Sequence, residues 1–250
     1  MRTLFVMDPV EKLDLTWDTS LFLLAELSRR GHQNWMADLV DLAATEKGIF
    51  ASAFGVRSEA ASRKPRRVEP KKRRALTDFD LILIRKDPPF DAPYLALTYL
   101  LEPLAKKIPV LNDPAGIRNT NEKCSILKFP KWIPETLVTN SVREIREFQK
   151  RLKDDVVVKP LNQKGGEGVF LWKRGEDFKS KSAGEANPLP FVMAQRYLRA
   201  GRDKRILLLN GRILAAFERR APAGDFRTNL SLGGTFHRTE ITGKIGRAHV

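Results

Sequence analysis

The chain has 250 residues, of which 42% are hydrophobic and 30% are charged, as expected of a globular protein that buries a core. A single cysteine excludes an internal disulfide framework, and no stretch is apolar and long enough to predict a membrane span. We therefore expect a soluble, cytoplasmic protein. The formal net charge of +15 is unusually high and raises the question of an anionic partner.

The chain opens with a pattern typical of a strand followed by a helix. Residues 2–7 (RTLFVM) predict a buried strand. The segment Asp18–Ser20 then offers N-cap side chains for a helix that Gly31 ends.

Three further strands are predicted in the first half, at residues 34–36, 79–84 and 109–111. A helix begins near Pro93, and Pro103 should kink it or end it early. Strands that alternate with helices indicate a Rossmann-like parallel sheet with helical crossovers.

The second half has the character of an α+β domain. Strands are predicted at 135–139 and 155–159, with a helix between them that Ser141 caps. Asn210-Gly211 lies between two apolar runs and predicts a type I′ hairpin. The polar segment 175–190 is interpreted as a mobile connection. We place the boundary between two domains near residue 120.

Much of the positive charge lies in residues 57–74, which hold nine Lys or Arg against two Glu. Such a run either contacts an anionic surface or forms a solvated loop. No aromatic residue interleaves it, and no zinc signature accompanies it, so we predict a mobile surface loop and no nucleic-acid partner.

A lysine and a glycine-rich loop form the first chemical candidate. Lys159 ends a predicted strand, and Gly165, Gly166 and Gly168 follow. Glycines let backbone amides approach a polyphosphate, and the lysine adds a charge. A surface hairpin with a solvated lysine explains the same pattern. It is neither a Walker A loop nor a Rossmann fingerprint.

A second group of charged residues follows on and beside the predicted hairpin. It comprises Asp203, Arg205, Arg220 and Arg227. Guanidinium groups suit the recognition of carboxylates and phosphates, because the planar fork donates two parallel hydrogen bonds. A solvated strand face remains the alternative.

Ordered motifs along the chain resemble the bacterial glutathione synthase family, in the ATP-grasp superfamily. The most specific are IRKDPPFD at 84–91 and VVKPLNQKGGEGVF at 157–170, and others include NEK at 121–123, DKRILLLNG at 203–211 and RTNLSLGG at 227–234. The resemblance implies an N-terminal α/β substrate-binding domain at 1–119 and an ATP-grasp domain at 120–243.

The resemblance also implies a reaction. ATP, as its Mg²⁺ or Mn²⁺ complex, phosphorylates the cysteinyl carboxylate of γ-glutamylcysteine, and the amine of glycine attacks the acyl phosphate. Phosphoryl transfer needs positioning and charge neutralisation, which lysines, arginines and Mg²⁺ supply. Members of the family commonly form homo-oligomers.

The resemblance assigns roles residue by residue. Catalysis falls to Arg205 and Arg220. Nucleotide binding falls to Lys123, Lys159, Gly165, Gly166, Gly168, Gln195, Tyr197, Leu198 and Asp203. Substrate binding falls to Arg227, Asn229, Arg85, Asp18 and Ser20.

Residues 244–250 do not match the family and are interpreted as a foreign tail. Family members continue beyond this point with an Asp, a Glu and an Asn that bind Mg²⁺, so we expect no metal ligands in this chain and poor catalysis. Two other functions stay open: a different ATP-grasp carboxylate–amine ligase, and a non-enzymatic nucleotide- or RNA-binding paralogue.

Overall fold

The computed structural model describes residues 1–59, 64–178 and 190–241. The chain divides into two compact units, Met1–Asn121 and Glu122–Val250. None of the described helices is long and apolar enough to cross a membrane. Most of the predicted mobile connection, and the whole of the predicted tail, lie outside the described residues.

An eight-stranded sheet forms the first unit. Its strands are β1 (Arg2–Met7), β2 (Gln33–Ala37), β3 (Leu42–Thr45), β4 (Gly48–Ser58), β5 (Pro65–Arg67), β6 (Lys72–Ala75), β7 (Leu81–Arg85) and β8 (Val110–Leu111). Strands β2, β1, β7 and β8 lie side by side and run parallel. The helices are α1 (Thr19–Arg29), α2 (Ala92–Ala105) and α3 (Pro114–Asn119).

The parallel half of this sheet confirms the predicted strand–helix alternation. Strand β1 is buried on both faces: Leu4 and Val6 join one apolar cluster, and Phe5 and Met7 join another. Such burial is what a central parallel strand requires. Helix α2 contains Pro103 and ends two residues later.

The first helix begins as its sequence predicts. The Asp18 carboxylate accepts hydrogen bonds from the backbone amides of Ser20 and Leu21, at 2.7 and 3.2 Å. Gly31 adopts a positive φ of 77° just beyond the helix. The cap and the left-handed glycine together set both ends of α1.

The prediction of a surface loop at 57–74 is wrong for the part that the structure describes. Strands β5 and β6 pair antiparallel with β4, and the amides of Val68 and Glu69 bond the carbonyl of Gly55 between them. The segment is an edge strand interrupted by a bulge-like irregularity. Its backbone is hydrogen-bonded to β4 while most of its cationic side chains are exposed, an arrangement that composition alone does not distinguish from a loop.

Two antiparallel sheets build the second unit. The first contains β9 (Thr136–Thr139), β10 (Val156–Pro160), β11 (Phe170–Trp172) and β12 (Val192–Arg196), in the order β11-β10-β12-β9. Helix α4 (Val142–Leu152) contributes Ile145 and Phe148 to the same apolar cluster as Val156 and Val158. Ser141 caps this helix as predicted, accepting from the amide of Glu144.

The second sheet contains β13 (Arg202–Leu209), β14 (Arg212–Arg220) and β15 (Thr235–Arg238). The turn between β13 and β14 confirms the predicted hairpin, because Asn210 and Gly211 have positive φ values of 49° and 73°. The pairing register shifts by one residue between Leu207 and Leu208. Because of this shift, the residues paired between Leu207 and the open end of the hairpin differ by one position from those that the turn alone would pair.

Candidate functional site

A cavity of about 610 Å³ in the second unit gathers most of the predicted site residues. Its lining includes Lys123, Lys159, Gly165, Gly166, Gln195, Tyr197, Leu198, Asp203, Arg205, Arg227 and Asn229. Gly168 and Arg220 are not among the lining residues. A larger cavity of about 720 Å³, between the β3–β4 hairpin and α2 of the first unit, contains none of the predicted residues and is mainly apolar. We place the site in the charged cavity.

Lys159 lies at the floor of this cavity, near the end of β10. Its Nζ donates a hydrogen bond to Gln195 Oε1 at 2.7 Å, and Gln195 Nε2 donates to Thr136 Oγ1 at 2.9 Å. Burial, together with repulsion from Lys123, lowers the pKa of Lys159 below its ordinary value. The ammonium has no carboxylate partner among the described residues, so it can offer its charge to an anion.

Lys123 braces the chain that leads into the glycine-rich loop. Its Nζ donates to the carbonyl of Gln163 at 2.7 Å and contacts Glu122 Oε1 at 2.7 Å. The carbonyl of Leu161 lies 3.4 Å away. The Lys123 side chain is therefore held in place by the residues that lead into the glycine-rich loop.

The glycine-rich loop adopts backbone conformations that favour glycine. Gly165, Gly166 and Gly168 have φ values of 63°, 86° and 65°. A Cβ at Gly166 would lie 2.8 Å from Asn229 Oδ1 and 2.9 Å from Leu232 Cδ1. The loop therefore packs directly against the segment around Asn229.

Two hydrogen bonds hold the glycine-rich loop to that segment. Ser231 Oγ donates to the carbonyl of Gly165 at 3.2 Å, and Arg227 Nη1 donates to the carbonyl of Gly166 at 3.4 Å. Arg227 also pairs with Asp225 at 2.7 Å, which holds the pKa of that carboxyl at about 2. Two of the predicted substrate-binding residues, Arg227 and Asn229, thus contact the loop.

Asp203 is already engaged by neighbouring side chains. Arg219 donates to both of its carboxylate oxygens, at 2.7 and 2.8 Å, and Thr228 Oγ1 donates to one of them. Burial alone would raise the pKa of Asp203, but these hydrogen bonds outweigh it and leave the pKa below its ordinary value. The carboxylate ties β13, β14 and the following loop together.

Arg219 is a cavity residue that the sequence analysis missed. Counting outward from the Asn210-Gly211 turn without an irregularity would set Asp203 opposite Glu218. The register shift instead sets Asp203 opposite Arg219. A bulge of this kind has no clear signature in the sequence. The opposite charges of Asp203 and Arg219, at the open end of the predicted hairpin, were nevertheless a signal for an ion pair between the two strands.

Arg205 and Arg220 are placed differently. Arg205 lines the cavity, and within the described part of the chain it has no hydrogen-bonded carboxylate partner. Arg220 Nε donates to Glu218 Oε1 at 2.8 Å. Successive side chains of a strand point to opposite faces, which accounts for Arg219 lining the cavity while Arg220 does not. The structure does not bring the two predicted catalytic arginines together.

The predicted hinge after β12 is anchored by charged side chains. Arg196 donates to both oxygens of Glu135, at 2.7 and 2.8 Å, and to Asp154 at 3.1 Å. The backbone amide of Tyr197 donates to the carbonyl of Asp155 at 3.0 Å. These contacts fix the strand end, while the Leu198 side chain is 60% exposed.

The three predicted residues of the first unit meet at Ser20, which contacts both Arg85 and Asp18. Arg85 Nε donates to Ser20 Oγ at 3.0 Å, and Arg85 Nη2 donates to Thr19 Oγ1 at 2.6 Å. The Asp18 carboxylate is used by the helix cap. Arg85 and Ser20 are therefore neighbours at the start of α1, as a shared pocket would require.

Within residues 1–59, 64–178 and 190–241, no group of three or more His, Cys, Asp or Glu could hold a metal ion. Two carboxylates line the cavity: Asp203 is held by Arg219 and Thr228, and Glu122 pairs with Lys123.

Sequence comparisons match both halves of the chain to one family. Residues 1–118 match "Prokaryotic glutathione synthetase, N-terminal domain", and residues 122–247 match "Prokaryotic glutathione synthetase, ATP-grasp domain". The second match includes 244–247, part of the segment interpreted as a foreign tail.

Curated relatives of the chain agree with these family matches. Glutathione synthetases of Synechococcus elongatus and Prochlorococcus marinus are 34% and 38% identical, over 97% and 96% of this chain and 79% and 78% of their own lengths.

Solved neighbours share the fold at lower identity. D-cycloserine synthetase is 15% identical with a TM-score of 0.64, over 99% of this chain and 78% of its own. The ATP-grasp ligase PsnB, solved with Mg and ADP, is 16% identical with a TM-score of 0.59, over 98% of this chain and 79% of its own. The fold is that of the ATP-grasp ligases, and the chain belongs to the prokaryotic glutathione synthetase family.

Proposed function

We propose that the charged cavity of the second unit binds ATP, and that the chain uses it to join γ-glutamylcysteine to glycine. One observation carries the assignment of the cavity. Lys159 and Arg205 face it without a carboxylate partner among the described residues, beside a loop that contains three left-handed glycines. Unpaired cations next to accessible backbone amides suit a polyphosphate.

The residues divide by the part of the nucleotide that each would contact. Lys123, Lys159 and the three loop glycines would hold the triphosphate, and Gln195, Tyr197 and Leu198 would border the adenine. Asp203 would lie near the ribose as the fixed partner of Arg219. Residues 120–243 would form this ATP-binding domain.

The acyl-transfer residues would be cationic. Arg205 would face the phosphate being transferred, and Arg227 and Asn229 would contact substrate beside the glycine-rich loop. We keep Arg220 as a proposed catalytic residue, which would require it to leave Glu218. Residues 1–119 would supply Arg85, Asp18 and Ser20 to the dipeptide or to glycine.

Family membership supports an ATP-dependent ligation with two steps. The terminal phosphate of ATP passes to the cysteinyl carboxylate and leaves ADP and an acyl phosphate. The amine of glycine then attacks the acyl carbon, and inorganic phosphate leaves as the amide forms. Cations in the cavity would neutralise the oxygens that gain charge during each step. The ion that accompanies ATP is Mg²⁺, and we propose Mn²⁺ as a substitute.

The test is glutathione formation by the purified chain with ATP, Mg²⁺, γ-glutamylcysteine and glycine. ADP, phosphate and glutathione should appear in equal amounts and should require both substrates. ADP formation with γ-glutamylcysteine and a different amine, but not with glycine, would instead favour another carboxylate–amine ligase. Slow turnover would agree with the poor catalysis expected from the sequence, whereas ATP cleavage that does not depend on γ-glutamylcysteine would contradict the proposed reaction.

We further propose a homo-oligomer, which light scattering of the purified chain would detect. The single cysteine, Cys124, is in no disulfide, which suits the reducing cytoplasmic location that we also propose. No nucleic-acid partner is proposed.

A further inference from the structure

Three polar side chains cross the four-stranded sheet in a line that ends at the cavity. Thr136 on β9 lies directly opposite Gln195 on β12, and Gln195 lies opposite Val157 on β10. Lys159 is two residues along β10 from Val157 and is therefore the diagonal neighbour of Gln195 on the same face. The hydrogen bonds from Lys159 to Gln195 and from Gln195 to Thr136 follow this path.

The direction of both hydrogen bonds follows from a third one, which Thr136 makes to the backbone. Thr136 Oγ1 donates to the carbonyl of Pro134 at 2.7 Å, and a carbonyl can only accept. The threonine hydroxyl has one proton, so towards Gln195 it can only accept. Gln195 must therefore present its amide nitrogen to Thr136 and its amide oxygen to Lys159.

The opposite orientation of the glutamine is excluded on chemical grounds. A reversed amide would point an NH₂ group at the ammonium of Lys159, so that two donors would face each other. It would also leave Thr136 without a donor for its oxygen. Gln195 is 6% exposed, so water does not readily replace these partners.

We propose that Thr136 is a positioning residue for ATP: its hydroxyl orients the Gln195 amide, and that amide aims the Lys159 ammonium into the cavity. One ammonium proton goes to Gln195 Oε1, and two remain for phosphate oxygens. This inference rests on the proposed binding of ATP by Lys159. Thr136 itself does not line the cavity.

The decisive variants are Thr136→Val and Thr136→Ser. Valine matches the shape of threonine but neither donates nor accepts, whereas serine keeps the hydroxyl. Calorimetric titration with MgATP should give a Kd five- to tenfold higher for T136V and within twofold of the wild type for T136S. Thr139→Val is a matched control, because Thr139 is a buried threonine on the same strand whose hydroxyl accepts from the amide of Ser141. T139V should lower the melting temperature without changing the Kd.

A double-variant cycle separates positioning from general structural damage. Gln195→Met should weaken MgATP binding at least as much as T136V. If Thr136 acts through Gln195, the double variant T136V/Q195M should bind no more weakly than Q195M alone. Additive losses in the cycle would overturn the inference, as would a wild-type Kd in T136V.

The outcome also distinguishes this inference from the proposed function. A wild-type chain that does not bind MgATP contradicts the function and the inference together. A wild-type chain that binds MgATP, with a T136V variant that binds it equally well, contradicts only the role of Thr136. If T136V does not fold, Thr136→Ala in the wild-type and Q195M backgrounds decides, because T136A also removes the hydroxyl and should raise the Kd only where Gln195 is present.

Discussion

Two regions of this chain are dense in lysine and arginine, and they differ in how far those cations are exposed to water and held by other side chains. The edge segment, residues 64–74, pairs Lys71 with Asp41 and Arg74 with Glu69 but leaves its other cations in water. Of these, Lys64, Arg66, Arg67, Lys72 and Arg73 are exposed, and within the described part of the chain they have no ion-pair partner. In the cavity, by contrast, Lys159 and Arg219 are each fixed by a named acceptor.

The difference follows from the solvent around each group. Water solvates an exposed ammonium or guanidinium well, so these five cations need no carboxylates, and two of the arginines lie over phenylalanine rings instead. Arg67 lies 4.3 Å from the Phe54 ring centroid, and Arg73 lies 4.4 Å from that of Phe50. A partly buried cation loses that solvation and must be held by the protein. A fixed cation is what a ligand site requires, and net charge alone does not reveal it.

The largest expected effect tests this contrast directly with two lysines. Lys159→Met should raise the Kd for MgATP by about 10- to 100-fold, because a charge-assisted hydrogen bond contributes about 1.5–3 kcal/mol. Lys72→Met makes the same chemical change in the edge segment and should leave the Kd unaltered. Calorimetry on both variants is the measurement, and an equal loss in both would mean that the two regions do not differ as described.

The second prediction concerns the glycine-rich loop. Gly166→Ala should destabilise the second unit more than Gly175→Ala does, by about 1–2 kcal/mol in urea unfolding, because overpacking adds to backbone strain. Both glycines have a φ of 86°, so the strain is matched. A Cβ at Gly175 meets no atom within 4 Å, whereas one at Gly166 meets Asn229 and Leu232. Equal losses in the two variants would show that the loop does not pack on the Asn229 segment.

A smaller effect is expected from pH. Burial and Lys123 lower the pKa of Lys159, and phosphate binding needs the protonated form. MgATP affinity should therefore fall as pH rises through this lowered pKa, at a pH where an exposed lysine is still charged. In the window between the lowered and the ordinary pKa, the unfolded chain binds the proton that the folded chain releases, so this group makes the free energy of unfolding rise with pH.

Lys159→Arg is the control for that pH dependence. Arginine stays protonated throughout the range, so the alkaline loss of affinity should become shallower in K159R. The measurement is the Kd for MgATP across a pH series in both proteins. Parallel pH profiles would assign the loss to another group.

The smallest effect is expected at the edge segment. The triple variant R66Q/R67Q/R73Q should change the free energy of unfolding by less than about 1 kcal/mol, because exposed charges contribute little. Removing mutual repulsion should make the variant relatively more stable at low salt than at high salt. Urea titrations at two salt concentrations measure both quantities. A large loss at either concentration would mean that these arginines hold the strand in place.

The sequence predicted elements whose signals are local. Strand β1, the cap at Asp18 and the Asn210-Gly211 turn each depend on a few consecutive residues, and all three are confirmed. Strands β5 and β6 were missed because their stability comes from pairing with β4 and not from apolar side chains of their own.

The residues of the site also differ in whether neighbouring residues in the sequence could reveal them. Lys159 and the glycine-rich loop could be singled out from neighbouring residues. The contact of Asp203 with Arg219 could not, because it depends on a one-residue register shift within the hairpin. The role proposed for Thr136 depends on which strands lie side by side, and β9 and β12 are more than 50 residues apart in the chain.

The β13–β14 hairpin has a consequence for how copies of the chain behave at high concentration. Among the described strands β13 pairs only with β14, so its outer backbone groups face away from any partner, and Leu207, Leu208 and Leu209 are each more than 40% exposed. The half of β13 nearest the turn, residues 206–209, is uncharged and apolar and is therefore a template for intermolecular β-pairing, whereas the lysines and arginines of the edge segment repel an incoming strand. Self-association that ends in aggregation should therefore begin at this hairpin, and a lysine in place of Leu208 should suppress it.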